Sequence, residues 1–347
     1  MIKSPTQAAA HTKEGEAFTF VSRSLSTRPA VRKQVIGLKR KLYDYHSSFA
    51  IEEWTAEFED GARLELLFKN LSPEGLLPGA RQTRPHFYYH PKREITVYRE
   101  VLASAGLGTA ICYGSVSDPE HGRYWLLLEK VCGQELYTIG DIDLWCDVAR
   151  WLADMHSRLC KIATHRPSAA NLTTYDADFY SVWIDRAEQF NRQRDAATAI
   201  SSSQMSWLTD QCQSAVRHLC RLPPTFIHGE FYASNILIDH RQHATRICPV
   251  DWETAAIGPG LIDLAALIAG RWSDSQKNQL AQAYFDALPV DRCWSNIQEM
   301  QVSLRCCRLF QAIRWLGWSA NWEPPPDHRF DWLAEAVQMA ELIGDLE

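Results

Sequence analysis

The sequence predicts an α+β protein with two lobes, a β-rich N-terminal lobe and a larger helical C-terminal lobe. The chain has 347 residues, more than the commonest single-core domain, so two lobes are expected. Up to about residue 130, short apolar runs are separated by turn residues, whereas later apolar stretches have the spacing of helices. We therefore divide the chain into a flexible tail over residues 1–17, an N-terminal lobe over 18–130 and a C-terminal lobe over 131–347.

The N-terminal lobe is predicted to be a mostly antiparallel sheet with one inserted helix. The Glu-Asp-Gly sequence at 59–61 is a hairpin signal, and the Pro and Gly residues over 72–92 exclude one regular element there. A spaced apolar stripe predicts a helix over 93–105. The predicted strands are residues 35–38, 54–58, 63–69, 111–114 and 124–128.

The C-terminal lobe is predicted to be helical, with one short hairpin. Apolar residues recur at helical spacing through most of this part of the chain. The exception is the stretch 226–238, which we pair with 246–250 as a hairpin. The predicted helices are residues 144–159, 178–193, 203–219, 261–270, 275–287, 296–318 and 330–343.

Composition limits the classes of function. The formal net charge of −6 argues against general nucleic-acid binding, which needs a basic surface. The sequence contains no run of 18 or more apolar residues that would predict a membrane span, and its first residues lack the apolar segment of a secretory signal. The ten cysteines include no C-x-x-C pair and match no zinc or disulfide pattern. We therefore expect a cytoplasmic protein.

Residues 228–235, His-Gly-Glu-Phe-Tyr-Ala-Ser-Asn, carry an acid five residues before an asparagine, between two short apolar runs. Phosphoryl transfer needs a carboxylate that orients the attacking hydroxyl and ligands that hold magnesium. Glu230 is therefore the candidate catalytic carboxylate, with His228 beside it, and the amide oxygen of Asn235 is a candidate Mg²⁺ ligand. A surface hairpin with polar residues is the alternative interpretation of this motif taken alone.

A second acid, Asp251, follows the short apolar stretch 248–250, sixteen residues after Asn235. An acid directly after a strand can project its carboxylate toward phosphates, and Mg²⁺ binds one or two carboxylates together with phosphate oxygens. Asp251 is therefore the second candidate Mg²⁺ ligand. The order and interval of the two motifs favour this interpretation over an ordinary turn residue.

The two motifs closely resemble those of the aminoglycoside phosphotransferase and choline kinase-like family. HGEFYASNIL matches the family pattern H-G-D-x-x-x-x-N except at Glu230, and VDWETAAIGPGLIDLA matches the second family pattern. Residues 150–156 resemble the L-A-x-x-H helix end of the family. The resemblance spans about residues 30–345. It implies a protein-kinase-like fold and an ATP-dependent phosphotransferase that modifies a hydroxyl of a small molecule. Aminoglycosides, choline, homoserine and sugars are acceptors within the family, and no local motif selects among them.

The resemblance also implies a lysine that grips the nucleotide phosphates at the end of the third strand. Lys69 occupies that position, although a lysine at a strand end is also commonly a solvated residue. Its carboxylate partner is expected early in the next helix. Glu94 fits best, and Glu100 is the alternative.

The nucleotide-covering loop and the inter-lobe linker complete the implied site. The loop between the first two strands contains Ser47 and Ser48, whose hydroxyl and amide groups can bind phosphate. The backbone of the linker, including Glu129 and Val131, is expected to contact the purine. GTP in place of ATP remains open.

Glu230 stands where the family pattern has aspartate. Glutamate adds one methylene, roughly 1.5 Å of reach, and the ordinary pKa values of the two acids differ by less than about one unit. We therefore expect an active enzyme that uses Mg²⁺, as a monomer or dimer. The alternatives are a pseudokinase-like nucleotide-binding partner protein and a natural-product biosynthetic kinase that phosphorylates Ser or Thr of a peptide.

Four further features have a structural interpretation beside the functional one. The basic stretch 78–86 either folds over phosphate or an anionic part of the acceptor, or forms a solvated loop. The Trp-rich stretch 314–332 either lines an acceptor pocket or packs in the core. Asp263 either braces the catalytic loop or caps the following helix. Four acids can attract a cationic acceptor or serve as caps and surface charges, namely Glu253, Glu323, Asp327 and Asp331.

Overall fold

The computed structural model of the chain has the predicted division into a β-rich and a helical part. It describes residues 5–26, 34–43, 48–162, 171–193, 200–240, 245–270, 272–291, 293–318 and 330–344. Within those residues, no helix is both long and apolar enough to cross a lipid bilayer.

A five-stranded antiparallel sheet forms the N-terminal part, in the order β1-β2-β3-β5-β4. Its strands are β1 (Val35–Leu42), β2 (Ile51–Phe58), β3 (Arg63–Asn70), β4 (Cys112–Asp118) and β5 (Arg123–Glu129). The predicted turn at 59–61 joins β2 to β3, and Gly61 has a φ of 78°, a conformation that glycine adopts without steric cost. Lys69 lies opposite Leu126 in the register of β3 with β5, so its strand is flanked by neighbours on both sides.

The first helix, α1 (Pro5–Ser26), covers one face of this sheet. Val21 and Leu25 are fully buried against the sheet, and the ring of Phe20 lies 5.7 Å from that of Trp125. The sequence did not predict this helix, which begins at Pro5, within the residues 1–17 that were predicted to be a flexible tail. The apolar residues that anchor the helix lie mostly beyond residue 17, outside the stretch from which the tail was inferred.

A short helix, α2 (Pro78–Thr83), follows the sheet strand β3, and α3 lies between β3 and β4. The α3 helix begins as Arg93–Thr96 and continues as one wider turn, Val97–Leu102. It ends earlier than the predicted residue 105. Its buried face includes Glu94 and Tyr98, which places a carboxylate behind β3.

The C-terminal part is mainly helical, as predicted. Helix α9 packs against five other helices of this lobe, α5, α6, α7, α8 and α10, and its central residues are buried, including Arg314. The helices are α4 (Ile142–Leu159), α5 (Ala177–Gln193), α6 (Ser202–Leu219), α7 (Leu261–Leu267), α8 (Asp274–Ala287), α9 (Ile297–Leu316) and α10 (Trp332–Ile343). Ser201, Ser273, Asn296 and Asp331 cap the N-termini of α6, α8, α9 and α10.

Two small sheets hold the motif-bearing loops. The strands are β6 (Gln134–Glu135), β7 (Thr173–Thr174), β8 (Pro224–Ile227), β9 (Ile236–Asp239), β10 (Arg246–Pro249) and β11 (Ala256–Pro259). Strands β9 and β10 form the predicted hairpin, but β8 pairs with β11 instead. Residues 226–238 were predicted to be one arm of a hairpin. They instead form two strands, β8 and β9, which belong to different sheets. The chain turns at Gly229 between them, and the catalytic-loop residues lie in that turn.

Candidate active site

Lys69 lies between two carboxylates that come from different parts of the chain. Its Nζ is 2.8 and 2.9 Å from the two carboxylate oxygens of Glu94, and 2.8 Å from Oδ1 of Asp251. Glu94 is thus the partner of Lys69, and Glu100, the alternative, is exposed. Burial disfavours the charge of Lys69, but the carboxylates of Asp251 and Glu94 outweigh it and raise the pKa of the lysine. The lysine is therefore a fixed cation at neutral pH.

A cavity of about 470 Å³ opens beside this lysine. It lies between the five-stranded sheet and the strand β9, and it is lined by six of the predicted site residues, Lys69, Glu94, Glu129, Val131, Asn235 and Asp251. Its other walls include the apolar side chains of Ile51, Leu67, Leu128, Leu237 and Val250. An apolar slot with a cation and two acceptor groups at one end suits a nucleotide, whose base is flat and whose phosphates are charged.

Of the two serines predicted to cover the nucleotide, the structure describes one. Ser47 lies outside the described residues. The hydroxyl of Ser48 donates to Oε1 of Glu253 at 2.9 Å, so it is bound to a carboxylate of the C-terminal lobe in this structure.

Asp263 braces the catalytic loop. Its Oδ2 accepts a hydrogen bond from the backbone N–H of His228 at 2.6 Å, and its Oδ1 accepts one from Gly229 at 2.8 Å. Its Oδ2 also lies 3.2 Å from Nε2 of His156, at the helix end singled out in the sequence. Gly229 has a φ of 83°, and a β-carbon there would lie 2.4 Å from the carbonyl oxygen of Thr254. The bracing role predicted for Asp263 is confirmed, and the loop requires glycine at this position.

His228 holds the loop and does not face the cavity. Its side chain is fully buried, and its Nε2 lies 2.9 Å from the carbonyl oxygen of Val250, which can only accept a hydrogen bond. The proton is therefore on Nε2, and Nδ1 accepts the backbone N–H of Glu230 at 3.3 Å. Burial lowers the pKa of His228 below its usual value, so the ring is neutral. We correct the predicted catalytic role of His228 to a positioning role.

Glu230 is bound by an arginine that sequence reasoning did not connect to it. Nη2 of Arg314, in α9, is 2.5 Å from Oε1 of Glu230, and Nη1 of the same group donates to the carbonyl of Gly229 at 2.8 Å. Burial raises the pKa of Glu230 to about 7, although the charge of Arg314 opposes that rise. The only sequence signal was an arginine within an apolar helix segment, since a buried charge requires a partner.

Asn235 and Asp251 fit the predicted role of Mg²⁺ ligands. Nδ2 of Asn235 donates to the carbonyl of Glu230 at 3.0 Å, which fixes the amide and leaves its oxygen at the other end of the group. Asp251 has a φ of 65°, a left-handed conformation that is uncommon outside glycine and that clusters at functional sites. No cluster of three or more His, Cys, Asp or Glu side chains able to hold a metal is present in the described part of the chain. Mg²⁺ typically takes one or two carboxylates and completes its shell with phosphate oxygens.

Glu253 joins the two lobes. Besides Ser48, its carboxylate accepts Nη1 of Arg84 at 2.9 Å, and its carbonyl accepts Nη1 of Arg93 at 3.0 Å. Arg84 belongs to the basic stretch 78–86. Arg84 and Pro85 are buried, whereas Arg81, Gln82 and His86 are exposed, so the stretch contacts the site through Arg84 and is otherwise mostly solvated. Among the acids proposed to attract a cation, Glu253 is thus already paired, and Asp331 caps α10. Glu323 and Asp327 lie outside the described residues.

The tryptophans of the C-terminal end pack beside the catalytic loop. Nε1 of Trp315 donates to the hydroxyl of Tyr232 at 2.9 Å, and the ring of Trp315 stacks on that of Trp332 at 5.7 Å. Trp318 stacks on the fully buried ring of Trp183 at 5.8 Å. Trp315 and Trp318 are half-buried. They therefore serve partly as core, as the structural interpretation stated, and they border the loop that carries Glu230.

Solved structures with the same fold include several kinases and phosphotransferases. Plasmodium vivax ethanolamine kinase is 12% identical, covers 89% of this chain and 83% of its own, and has a TM-score of 0.57. Choline kinase from Cryptosporidium parvum is 12% identical over 94% of each chain, with a TM-score of 0.57. Wild-type aminoglycoside 2'-phosphotransferase-IIIa, solved as a GDP complex, is 14% identical over 94% of this chain and 97% of its own, with a TM-score of 0.54. These likenesses show the protein-kinase-like fold.

None of the curated proteins compared with the chain matches it in sequence. A family model described as "Phosphotransferase enzyme family" matches residues 90–299. That range contains Glu94, both motif loops and the bracing residue Asp263. The match covers more than half of the 347 residues. With its fold and its site geometry in agreement, the chain belongs to the phosphotransferase enzyme family.

Proposed function

We propose that the protein transfers the γ-phosphoryl group of ATP or GTP to a hydroxyl of a small molecule, with Mg²⁺. The observation that carries the proposal is Lys69, held between Glu94 and Asp251 at one end of a cavity with the size and lining that a nucleotide requires. A solved relative binds GDP, which supports a purine nucleotide without deciding between ATP and GTP.

Each residue of the site has a task that its geometry supports. Lys69, fixed by Glu94, binds nucleotide phosphate oxygens. Asp251 and the amide oxygen of Asn235 hold Mg²⁺, which neutralises the charge that develops on the phosphates. Glu230 accepts the proton of the acceptor hydroxyl as its oxygen attacks the γ-phosphorus. The carboxylate of Asp263 accepts a hydrogen bond from the backbone N–H of Gly229, and the amide of Asn235 donates to the carbonyl of Glu230. These bonds keep Glu230 at a constant position relative to Asn235.

The acceptor proposed is a small alcohol, and the compartment proposed is the cytosol. All ten cysteines are free thiols, five of them exposed or half-exposed and chemically accessible, which supports a reducing environment. Choline, ethanolamine, aminoglycosides, sugars and hydroxy acids are the acceptors that a first screen must include.

A nucleotide-binding partner protein without turnover is the second candidate, and one observation favours it. Arg314 engages the carboxylate that must act as the base, so Glu230 has to be released before it accepts a proton. If that release does not occur with any acceptor, the protein binds nucleotide and transfers nothing.

A nucleoside-diphosphate release assay separates the two candidates. Purified protein is mixed with Mg²⁺ and ATP or GTP and screened across hydroxyl acceptors, with the Glu230→Ala protein as the blank. We expect acceptor-dependent release that the blank lacks. Thermal stabilisation by Mg-nucleotide, together with no release above the blank for any acceptor, would favour the partner protein and overturn the enzyme assignment.

A further inference from the structure

Two buried guanidinium groups, from Arg84 and Arg314, lie over one aromatic ring beside Glu230. Their central carbons are 6.0 and 5.4 Å from the ring centre of Tyr88, which is itself fully buried. Arg84 is only 8% exposed and Arg314 only 3%. Arg84 comes from the end of α2 and Arg314 from α9, so the two arginines approach the acid from opposite lobes.

Each of these arginines has a buried N–H that lacks an acceptor. Arg314 uses Nη1 and Nη2 on Gly229 and Glu230, and Arg84 uses Nη1 on Glu253. The Nε atoms of both arginines are buried and have no hydrogen-bond partner among the described residues. Buried donors of charged groups are almost always satisfied, because an unsatisfied one is costly. Each of these two atoms is therefore a donor whose acceptor a ligand can supply.

Guanidinium groups are clustered on this side of the site. A third guanidinium, that of Arg93, is 3% exposed and lies 5.9 Å from the ring centre of Tyr88. Its hydrogen bonds go to carbonyl oxygens and to a threonine hydroxyl, none of which carries a charge. Arg84 pairs with Glu253 and Arg314 with Glu230, and the carboxylate of Asp251 also acts on Arg84 and Glu230. An oxyanion placed here would accept hydrogen bonds from guanidinium donors, whereas an ammonium group has no acceptor to offer them.

We propose that the acceptor of this enzyme carries an oxyanion, a carboxylate or a phosphate monoester, beside its reactive hydroxyl, and that Arg314 and Arg84 bind that oxyanion. The proposal rests on the phosphotransferase function above and specifies the chemical class of its substrate. Arginine suits the role because its planar fork presents two parallel donors to a carboxylate or phosphate. Because Arg84 lies in the N-terminal lobe and Arg314 in the C-terminal lobe, one oxyanion bound to both arginines would bridge the two lobes.

Binding of the oxyanion also frees the base. It offers Arg314 a new partner, so the guanidinium can leave Glu230 without losing a buried hydrogen bond. The acceptor oxygen then forms a bond to the γ-phosphorus, and the hydroxyl proton passes to Glu230. The bond from the γ-phosphorus to the bridging oxygen breaks, and its electron pair leaves with the nucleoside diphosphate. With no oxyanion bound, Arg314 keeps Glu230 engaged, which suppresses transfer to water.

The first test compares small hydroxyl acceptors that differ in charge. Glycerate and glycerol 3-phosphate are assayed against glycerol and choline, each with Mg-ATP and Mg-GTP. We expect kcat/KM for an anionic member to exceed that for glycerol by on the order of 100-fold or more, since a site with buried donors rejects a ligand that cannot satisfy them. Highest turnover with choline or glycerol would overturn the proposal. Comparing glycerate with glycerol 3-phosphate distinguishes a carboxylate from a phosphate.

The second test uses variants of the two arginines. Arg314→Lys keeps the positive charge but loses the planar pair of N–H donors. Arg84→Met removes a contact to Glu253. Both are expected to lower kcat/KM for the anionic acceptor by on the order of 100-fold, to lower that for glycerol much less, and to leave the affinity for Mg-nucleotide unchanged. Arg308→Met is the matched control, because Arg308 lies on the same helix and pairs with Glu335 at 2.6 Å away from the site. An equal loss for charged and neutral acceptors would mean that the arginines are only structural.

A binding measurement keeps the inference testable apart from turnover. Glycerate, glycerol 3-phosphate and inorganic phosphate are titrated calorimetrically into the protein with Mg-ADP present, against choline as the opposite charge. Binding of an anion that Arg314→Lys abolishes, without any phosphoryl transfer, supports the oxyanion site and contradicts the enzyme function. Transfer to a cationic acceptor, without binding of any anion, preserves the enzyme function and overturns the oxyanion site.

Discussion

Arg314 in α9 binds Glu230 at 2.5 Å and the carbonyl of the preceding residue, Gly229, at 2.8 Å. One guanidinium thus fixes both the backbone and the side chain of the catalytic loop. The extra methylene of glutamate is accommodated by a partner 84 positions later in the chain. The buried carboxylate of Glu230 therefore has a cationic partner, which a buried charge requires.

Glu230→Asp is expected to lower kcat, although aspartate is the residue of the family pattern. The shorter side chain withdraws the carboxylate by roughly 1.5 Å, and a displacement of about 1 Å can reduce the rate on the order of 100-fold. Glu230→Ala removes the base and should cost about 10²–10⁴-fold. Initial rates with the best acceptor measure both variants. An aspartate variant as fast as the parent would show that the site is not built for glutamate.

The rate of transfer should rise with pH through about 7, the pKa to which burial raises Glu230. The base must be unprotonated, so activity is low below this pKa and reaches a plateau above it. Arg314 and Arg84 lower the pKa of Glu230, and Glu253 and Asp251 raise it. Arg314→Met should therefore move the acidic limb of the pH–rate profile to higher pH. A limb that stays in place or moves to lower pH would contradict the pairing of Arg314 with Glu230.

Lys69→Met should weaken nucleotide binding and destabilise the fold. Glu94 and Asp251 would lose the cation that both contact, and breaking a buried ion pair costs about 3–5 kcal/mol. Isothermal titration with Mg-ADP and urea denaturation measure the two effects. Lys39→Met is the control, because Lys39 pairs with Glu57 on the exposed strand β1 and is expected to change neither quantity appreciably. Unchanged nucleotide affinity in Lys69→Met would place the nucleotide elsewhere.

Asp251→Asn should raise the Mg²⁺ concentration that supports half-maximal activity and lower kcat by about 10²–10³-fold. Asparagine tolerates the left-handed backbone at this position, so the fold is expected to survive. Rates measured across a MgCl₂ titration, with EDTA as the zero point, test this. Asp331→Asn provides the control, because asparagine caps a helix as well as aspartate does. If Asp251→Asn and Asp331→Asn show the same dependence of rate on Mg²⁺ concentration, Asp251 is not a Mg²⁺ ligand.

Asp263→Asn should destabilise the protein by about 1–3 kcal/mol, because an amide cannot accept both backbone N–H groups and leaves one buried donor unsatisfied. Urea denaturation gives the free energy of unfolding. Asp286→Asn is matched to it, since Asp286 is exposed on α8 and accepts a side-chain hydrogen bond from Gln282. If the two variants have the same free energy of unfolding, the Asp263 carboxylate does not brace the catalytic loop.

The sequence alone identified the parts of the site that have fixed local spacing. Glu230, Asn235, Asp251 and the turn at Gly229 follow from short motifs, because a loop between two strands places its residues by backbone geometry. Lys69 was located only through the family resemblance. The lobes followed from apolar periodicity, which reports the burial of each element's own face. The sequence left the partner of Lys69 open between Glu94 and Glu100, and the packing of α3 against β3 selects Glu94.

The tertiary structure decided what those parts contact. The α1 helix, the pairing of β8 with β11 and the ion pairs of Arg84 and Arg314 all join segments far apart in the chain. Local pattern carries no information on which buried charge neutralises which, since that choice depends on the distance between groups after folding. The sequence therefore determined that this protein has a carboxylate at position 230. Only the fold determined that an arginine holds it.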